Sequence, residues 1–222
     1  MKVVIFGATG MVGKGVLLEC LDDARVEHVL LVSRHATDVS HPKIREIVHA
    51  DFAEFGSIQT MFTDLDACFY CLGVTVVGLN ESQYYHLTYD LALAAATALA
   101  AVTAGRLTFC YVSGEGTDST ERGRIMWARV KGKTENALLR LPFKAAFMFR
   151  PGYIQPLRGI RSKTRWYQAL YDVMGPFYPI VRRAFPGFVT TTINIGRAMI
   201  HVAATGSSKQ ILSATDINEL SA

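Results

Sequence analysis

The chain has 222 residues, of which 50% are hydrophobic and 19% are charged. This composition excludes a disordered chain, and the length allows one good core with a small appended lobe rather than two full domains. The formal net charge is +4, but most basic residues are scattered along the sequence. An extended nucleic-acid surface is therefore not predicted.

The chain begins with a short apolar stretch that leads directly into glycines, so no secretory signal peptide is expected. The longest apolar run, residues 91–104, is alanine-rich and too short to cross a bilayer. The four cysteines lie in apolar surroundings, as free thiols of a reducing compartment do. These features predict a cytoplasmic protein without an integral membrane segment.

The first predicted strand, residues 3–6, runs into a glycine-rich loop and then into a helix. Gly7 lets the chain turn sharply, Gly10 removes a Cβ where the backbone must approach a pyrophosphate, and Gly13 allows the helix to pack closely. Free N–H groups at the start of the helix would face the anion. This order of elements predicts a dinucleotide site formed by Gly7, Thr9, Gly10, Met11, Val12 and Gly13.

The second predicted strand, residues 28–32, ends in Ser33 and Arg34 rather than in a carboxylate. A carboxylate at this point would bind the adenine-side ribose and repel a 2′-phosphate. Arg34 follows the glycine loop by about twenty residues, where a phosphate clamp is expected. The pattern favours NADP(H) over NAD(H); the alternative is that Arg34 is a solvated loop arginine.

Candidate cofactor contacts also follow the third and fourth predicted strands. Asp51 and Phe52 would present a carboxylate and a ring to the adenine, or Asp51 would cap the next helix. The fourth strand, residues 67–71, ends at Cys71 and is followed by Leu72 and Gly73. Gly73 would let the backbone lie against the cofactor ribose, or it is a plain glycine turn.

Two more strands, at residues 107–112 and 145–149, alternate with helices at 15–21, 82–104 and 125–139. This alternation predicts an α/β fold with a Rossmann-type, doubly wound parallel sheet, formed by residues 1–152. Residues 153–222 contain many prolines and aromatic residues. We expect a small C-terminal lobe there, packed on the same domain, with a helix at 192–204 and a last strand at 210–214.

With Ser113 closing the fifth strand, Lys131 in the next helix and Pro151 after the sixth strand, the sequence resembles the short-chain dehydrogenase/reductase superfamily. The resemblance is to its atypical and extended branch, which includes NAD(P)H-binding epimerase-like proteins and Tat-interacting-protein-like oxidoreductases. It implies that Lys131 holds the cofactor ribose and that Ser113 polarises the substrate oxygen. It also implies a proton-transferring tyrosine four residues before the lysine. This chain has Trp127 there, and an indole does not exchange a proton at neutral pH.

Two functions follow from this comparison. The first is an NADP(H)-binding oxidoreductase or epimerase-like protein acting on an unknown carbonyl or hydroxyl compound, with Ser113 and Lys131 as its catalytic residues. The second is a non-catalytic NADPH-binding regulatory or redox-sensing protein. For Lys131 itself, the alternative is that it is one more surface cation. The expected partner is a small-molecule substrate rather than a nucleic acid or a metal ion, and a homodimer is one option for the assembly.

Overall fold

The computed structural model describes residues 1–37, 39–160 and 187–222, and its main element is a seven-stranded parallel sheet. Six of its strands are β1 (Lys2–Phe6), β2 (His28–Ser33), β3 (Ile44–Val48), β4 (Ala67–Tyr70), β5 (Thr108–Val112) and β6 (Ala145–Arg150). Two short strands, β7 (Tyr153–Gln155) and β8 (Val189–Thr191), form a separate parallel pair, and β9 (Ile211–Ser213) completes the main sheet. The spatial order is β3-β2-β1-β4-β5-β6-β9. The predicted Rossmann-type α/β fold is confirmed.

The strand order reverses at β1, which pairs with β2 on one side and with β4 on the other. Because neighbouring strands are parallel, all their carboxyl ends lie along one edge of the sheet. The loops that follow β1, β2, β4, β5 and β6 therefore meet at this edge, where open α/β sheets bind ligands. The sequence-predicted site residues lie in or near these loops.

Helices cover both faces of the sheet. On one face lie α1 (Met11–Asp22) and a C-terminal helix described below. They form with the strands a core cluster that includes Val3, Ile5, Phe69, Ile195 and Met199. On the other face lie a 3₁₀-helical segment (Gly56–Phe62) and two longer helices. They form with the strands a second core cluster that includes Phe6, Phe62, Tyr70, Leu99 and Leu138. Both clusters are buried, as the apolar strand sequences require.

The long predicted helix is one continuous helical stretch, Glu81–Thr103. It consists of α2 (Glu81–Tyr85), a π-helical turn (His86–Asp90) and α3 (Leu91–Thr103). Within the part of the chain that the structure describes, this stretch alone has the length and apolar composition of a membrane-spanning helix, which the core helix of a soluble protein also has. Its buried side, which includes Ala92, Ala96 and Leu99, packs in the second core cluster.

The C-terminal residues contribute to the main sheet. The helix α5 (Thr192–Thr205) packs beside α1, β9 pairs with β6, and α6 (Ala214–Leu220) follows. The predicted helix at 192–204 and strand at 210–214 thus correspond to α5 and β9. The division into residues 1–152 and 153–222 stays a prediction, because residues 161–186 lie outside the described part of the chain.

Close packing of α1 against α5 depends on small residues. A Cβ added to Gly15 would lie 2.5 Å from the Cβ of Thr192. Nearby, the Glu19 carboxylate is 6% exposed and accepts hydrogen bonds from Arg158 at 3.1 Å and Arg197 at 3.0 Å. These two arginines neutralise a charge that would otherwise be costly to bury between the helices.

Candidate functional site

The glycine loop forms a tight turn against the end of β4. Gly7 has a φ of +85°, in the left-handed region that favours glycine. A Cβ at this position would lie 2.9 Å from the carbonyl carbon of Cys71 and from the nitrogen of Leu72. The loop after β1 and the loop after β4 are therefore in backbone contact.

The remaining loop glycines bring the start of α1 onto this turn. A Cβ on Gly13 would lie 2.1 Å from the carbonyl oxygen of Gly7, which leaves no room for any side chain. The N-cap residue Gly10 provides no side-chain cap, so Met11 and Val12 begin the helix with backbone N–H groups available to a ligand. The pyrophosphate of a dinucleotide can bind here, because the glycines of the turn have no side chains to block its approach and the N–H groups at the helix start have no side-chain cap.

The loop after β2 is held by a carboxylate that the sequence reading missed. Glu46, on the neighbouring strand β3, accepts hydrogen bonds from the Ser33 hydroxyl at 3.1 Å and from the Thr37 N–H at 2.9 Å. The Ser33 hydroxyl also lies 2.7 Å from the carbonyl oxygen of His35. Ser33 thus organises the loop, whereas Arg34 is exposed and makes no hydrogen bond or ion pair with the described residues. The β2–β3 register, which pairs Leu31 with Glu46, brings this carboxylate beside Ser33, and a single sequence does not show that register.

A cavity of about 250 Å³ lies between the glycine loop and the loop after β2. Its lining includes Thr9, Lys14 and Thr37. The Thr37 hydroxyl oxygen is buried and has no hydrogen-bond partner among the described residues. Lys14, which directly follows the third loop glycine, was not singled out from the sequence, although a cation beside a phosphate-binding turn is a usable signal.

Asp51 and Phe52 lie after β3, where the prediction put adenine contacts. Phe52 is 7% exposed, and its ring packs edge-on against Phe6 and Phe55, at centroid distances of 6.1 and 5.7 Å. Asp51 is exposed and accepts a hydrogen bond from the N–H of Ala53. Phe52 is therefore part of the core, and Asp51 stabilises its own turn rather than a helix start.

The loop after β4 has open space around Gly73. Cys71 and Leu72 are half-buried beneath Gly7, whereas Gly73 is exposed and a Cβ added there would meet nothing within 4 Å. Burial raises the pKa of the Cys71 thiol to about 12, so it is protonated at neutral pH. A cofactor ribose has room beside Gly73.

A second cavity, of about 440 Å³, lies at the carboxyl ends of β5 and β6. It brings together Ser113, Trp127, Lys131 and Pro151, and Pro151 also accepts a hydrogen bond from the N–H of Glu115 at 2.9 Å. Glu115, Ile154 and Phe188 line it as well and were not predicted from the sequence. Glu115 could have been found from its position two residues after Ser113.

The polar groups of this cavity are oriented by the backbone. The Ser113 hydroxyl donates to the carbonyl oxygen of Phe149 at 3.1 Å, and the Lys131 ammonium donates to the carbonyl oxygen of Ser113. Burial lowers the pKa of Lys131 to about 8, against an opposing effect of the Glu135 carboxylate. Lys131 is thus held in the cavity and is not a free surface cation.

The helix α4 (Met126–Leu139) positions Trp127 and Lys131 one turn apart. A Cβ on its Gly132 would lie 1.8 Å from the carbonyl oxygen of Asp118, so the loop after β5 packs directly on the helix. The fully buried Glu135 carboxylate accepts a hydrogen bond from the Nε of Arg150 at 3.0 Å and ties α4 to the end of β6. Among the residues that the structure describes, no group of histidine, cysteine or acidic side chains could hold a metal ion.

Comparison with known proteins identifies the family. Residues 3–120, more than half of the chain, match the NAD dependent epimerase/dehydratase family. The chain belongs to this family. The match covers the glycine loop and the first five strands, and it confirms the resemblance to short-chain dehydrogenases/reductases and the expectation of a nicotinamide dinucleotide cofactor.

Curated relatives and a solved structure extend the comparison. The chain is 30% identical to the mitochondrial protein fmp52 of Emericella nidulans over 176 residues, 76% of this chain and 72% of the relative. It is 29% identical to protein FMP52 of Meyerozyma guilliermondii over 159 residues, 69% of this chain and 65% of the relative. The UDP-glucuronic acid 4-epimerase of Bacillus cereus in complex with NAD shares the fold. Its TM-score is 0.65 at 11% identity, covering 97% of this chain and 80% of that one.

The names of these relatives overturn one expectation. Both fungal proteins are named mitochondrial, so the prediction of a cytoplasmic protein is wrong. That prediction rested on three sequence expectations: a first segment unlike a secretory leader, an apolar run at residues 91–104 taken as too short for a bilayer, and cysteines in apolar surroundings. None of these distinguishes the cytosol from the interior of an organelle.

Proposed function

We propose that this protein is an NADP(H)-dependent oxidoreductase that acts on a carbonyl or hydroxyl compound, and that it works in mitochondria as its named relatives suggest. The main support is the 440 Å³ cavity that contains Ser113 and Lys131. It lies at the same sheet edge as the glycine loop. A nicotinamide cofactor supplies or accepts the hydride when bound, Lys131 orients its ribose, and Ser113 contacts the substrate oxygen.

The preference for NADP(H) is supported by the adenosine-side cavity. Lys14 provides a cation, and the unpartnered hydroxyl of Thr37 provides a hydrogen-bond donor within the same 250 Å³ space. Arg34 is exposed on the adjoining loop and is free to turn toward a 2′-phosphate. The carboxylate of Glu46 is already engaged by Ser33 and Thr37, which leaves it less able to bind ribose hydroxyls.

Cofactor titration tests this preference. We expect NADPH to quench the fluorescence of Trp127 with a dissociation constant at least about tenfold below that of NADH. Lys14→Met should remove most of this difference because a charge-assisted phosphate contact is lost. The control is Lys144→Met, an exposed lysine at the opposite edge of the sheet. Equal affinities for NADPH and NADH in the wild-type protein would contradict the proposal.

Trp127 favours a second candidate function, a non-catalytic NADPH-binding regulator. Its indole lines the cavity at the position where the superfamily has its proton-transferring tyrosine, and loss of that tyrosine costs a binding protein nothing. The variant Trp127→Tyr separates the two functions. We expect NADPH oxidation with a panel of aldehydes and ketones to rise at least about tenfold if the cavity accepts substrates. An inactive wild type and an inactive variant, both of which bind NADPH, would favour the regulator.

A further inference from the structure

The cavity beside Trp127 contains few groups that can exchange a proton. Among its described lining residues, only Glu115 and Lys131 have side chains that titrate as an acid or a base. The Ser113 hydroxyl donates a hydrogen bond to the carbonyl oxygen of Phe149 and is too weak an acid to give up its proton near neutral pH. A reduction in this cavity produces an alkoxide oxygen that must be protonated, so the proton source has to be found among these groups or in water.

Of the two titratable residues, Lys131 is better placed to give a proton to the substrate oxygen. Its ammonium lies in the cavity and gives one of its three N–H groups to the Ser113 carbonyl oxygen, which leaves two for ligands. Glu115 is exposed to solvent, and its hydrogen bond to Pro151 is made by its backbone N–H. Lys131 is thus held beside Ser113, the residue expected to contact the substrate oxygen.

The charged groups around Lys131 come from three elements. Glu135 lies one turn further along α4, Arg150 at the end of β6 neutralises Glu135, and Glu115 belongs to the loop after β5. Burial dominates over the attraction to Glu135 and lowers the pKa of Lys131 to about 8. An acid with a pKa near the working pH is mostly protonated yet releases its proton readily.

We propose that Lys131 is the proton donor of the reduction, in place of the tyrosine that this chain lacks. This role depends on the proposed oxidoreductase function. As hydride reaches the carbonyl carbon and forms a C–H bond, the π electrons of the C=O bond move to oxygen. That oxygen takes a proton from the Lys131 ammonium, one N–H bond breaks, and an O–H bond forms. The reduced nicotinamide is oxidised, the carbonyl compound is reduced, and the neutral amine regains its proton from water.

The pH dependence of the rate has a defined sign. Reduction needs the protonated lysine, so kcat should fall as the pH rises through an apparent pKa near 8. The reverse oxidation needs the neutral amine, so its kcat should rise over the same interval. Lys131→Arg keeps the positive charge but cannot release a proton, and it should lower kcat for reduction by at least about 100-fold.

The experiment compares the wild type with Lys131→Arg, Glu115→Gln and Lys133→Arg. NADPH-dependent reduction of the best aldehyde or ketone from the panel is followed across the pH range, and NADPH affinity is measured by fluorescence. Lys133 lies exposed over the rings of Tyr85 and Tyr89, outside the cavity, and is the matched control. We expect Lys133→Arg to keep the wild-type profile. Lys131→Arg should lose the rate, whereas its NADPH affinity should fall much less than the rate because the guanidinium keeps N–H donors for the ribose.

A second measurement does not depend on turnover or on a bound cofactor. In protein labelled with ¹³C at the lysine ε-carbon, one resonance should titrate near pH 8 and be missing from Lys131→Met. A lysine resonance assigned to Lys131 that titrates at the ordinary value of about 10.4 would overturn the proposal, even if the arginine variant fails to fold.

The outcomes also separate this role from the proposed function. Wild-type turnover with an unchanged rate and profile in Lys131→Arg would overturn the role of Lys131 and leave the oxidoreductase function intact. If the fall of kcat with rising pH disappears in Glu115→Gln but remains in Lys131→Arg, the proton donor is Glu115 and the proposal for Lys131 is wrong. A wild type that binds NADPH and reduces no carbonyl compound would overturn the oxidoreductase function, and the proton-donor role with it.

Discussion

At the scale of single residues, the loop glycines differ in the reason why each position needs a glycine. Gly7 and Gly13 are fixed by the fold, since a Cβ on either would meet backbone atoms at 3.0 Å or less. Gly73 has open space around it and no such packing reason. A side chain at Gly73 can therefore interfere with a ligand without disturbing the protein, which makes this residue a clean probe of the cofactor site.

Substitution of these glycines should separate folding from cofactor binding. Gly73→Ala should keep the wild-type melting temperature within about 2 °C but weaken NADPH binding about tenfold, because the methyl group occupies space expected for the ribose. Gly13→Ala should lower both stability and affinity, because the start of α1 must move away from Gly7. The measurements are thermal unfolding and fluorescence titration. Unchanged NADPH affinity in Gly73→Ala would show that the cofactor does not approach this loop.

At the scale of elements, the position of α4 decides the geometry of the substrate cavity. The helix is fixed by the close approach of Gly132 to the Asp118 carbonyl oxygen and by the ion pair between Glu135 and Arg150. The Glu135 side chain is fully buried, and that of Arg150 is 17% exposed. Removing one partner leaves a buried charge uncompensated, which is among the most destabilising changes available to a core.

The variant Arg150→Met should destabilise the protein by about 3–5 kcal/mol, because Glu135 is then buried without a partner. The matched control is Arg129→Met, a change on the same helix α4 that removes the partner of the exposed Glu81 in α2. That change should cost about 0.2–1 kcal/mol because solvent screens an exposed pair. Urea unfolding at neutral pH measures both. Similar decreases in the free energy of unfolding in the two variants would contradict the conclusion that Glu135 is a buried charge that depends on Arg150.

The same elements show what the sequence could predict. Apolar runs predicted the strands of the sheet, and the glycine spacing predicted the turn before α1, because both depend on neighbours along the chain. Glu46 and the buried state of Phe52 could not be predicted in this way. Both depend on which strand or ring lies beside them across the sheet, and a single sequence does not encode that pairing locally. Trp127, Lys131 and Ser113 lie in one cavity, as the family resemblance implied, whereas Lys14 and Glu115 had a local signal that was overlooked.

At the scale of the whole molecule, the two cavities lie on the same edge of one sheet, and the chain returns to that edge from both of its ends. The glycine loop comes from the first residues, and Phe188 in the substrate cavity comes from the last part of the described chain. The nucleotide half of the site is accordingly the part that sequence motifs can identify, and the substrate half is the part that needs experiment.

The pairing of β6 with β9 has a consequence for synthesis. β9 is the outer strand of the sheet beside β6, and α5 just before it supplies Ile195 and Met199 to the first core cluster. A chain emerging from the ribosome therefore cannot complete this core until residues 192–213 have been synthesised. Until then the apolar face of β6 and the matching side of α1 stay uncovered, and such surfaces are where chaperones bind nascent chains.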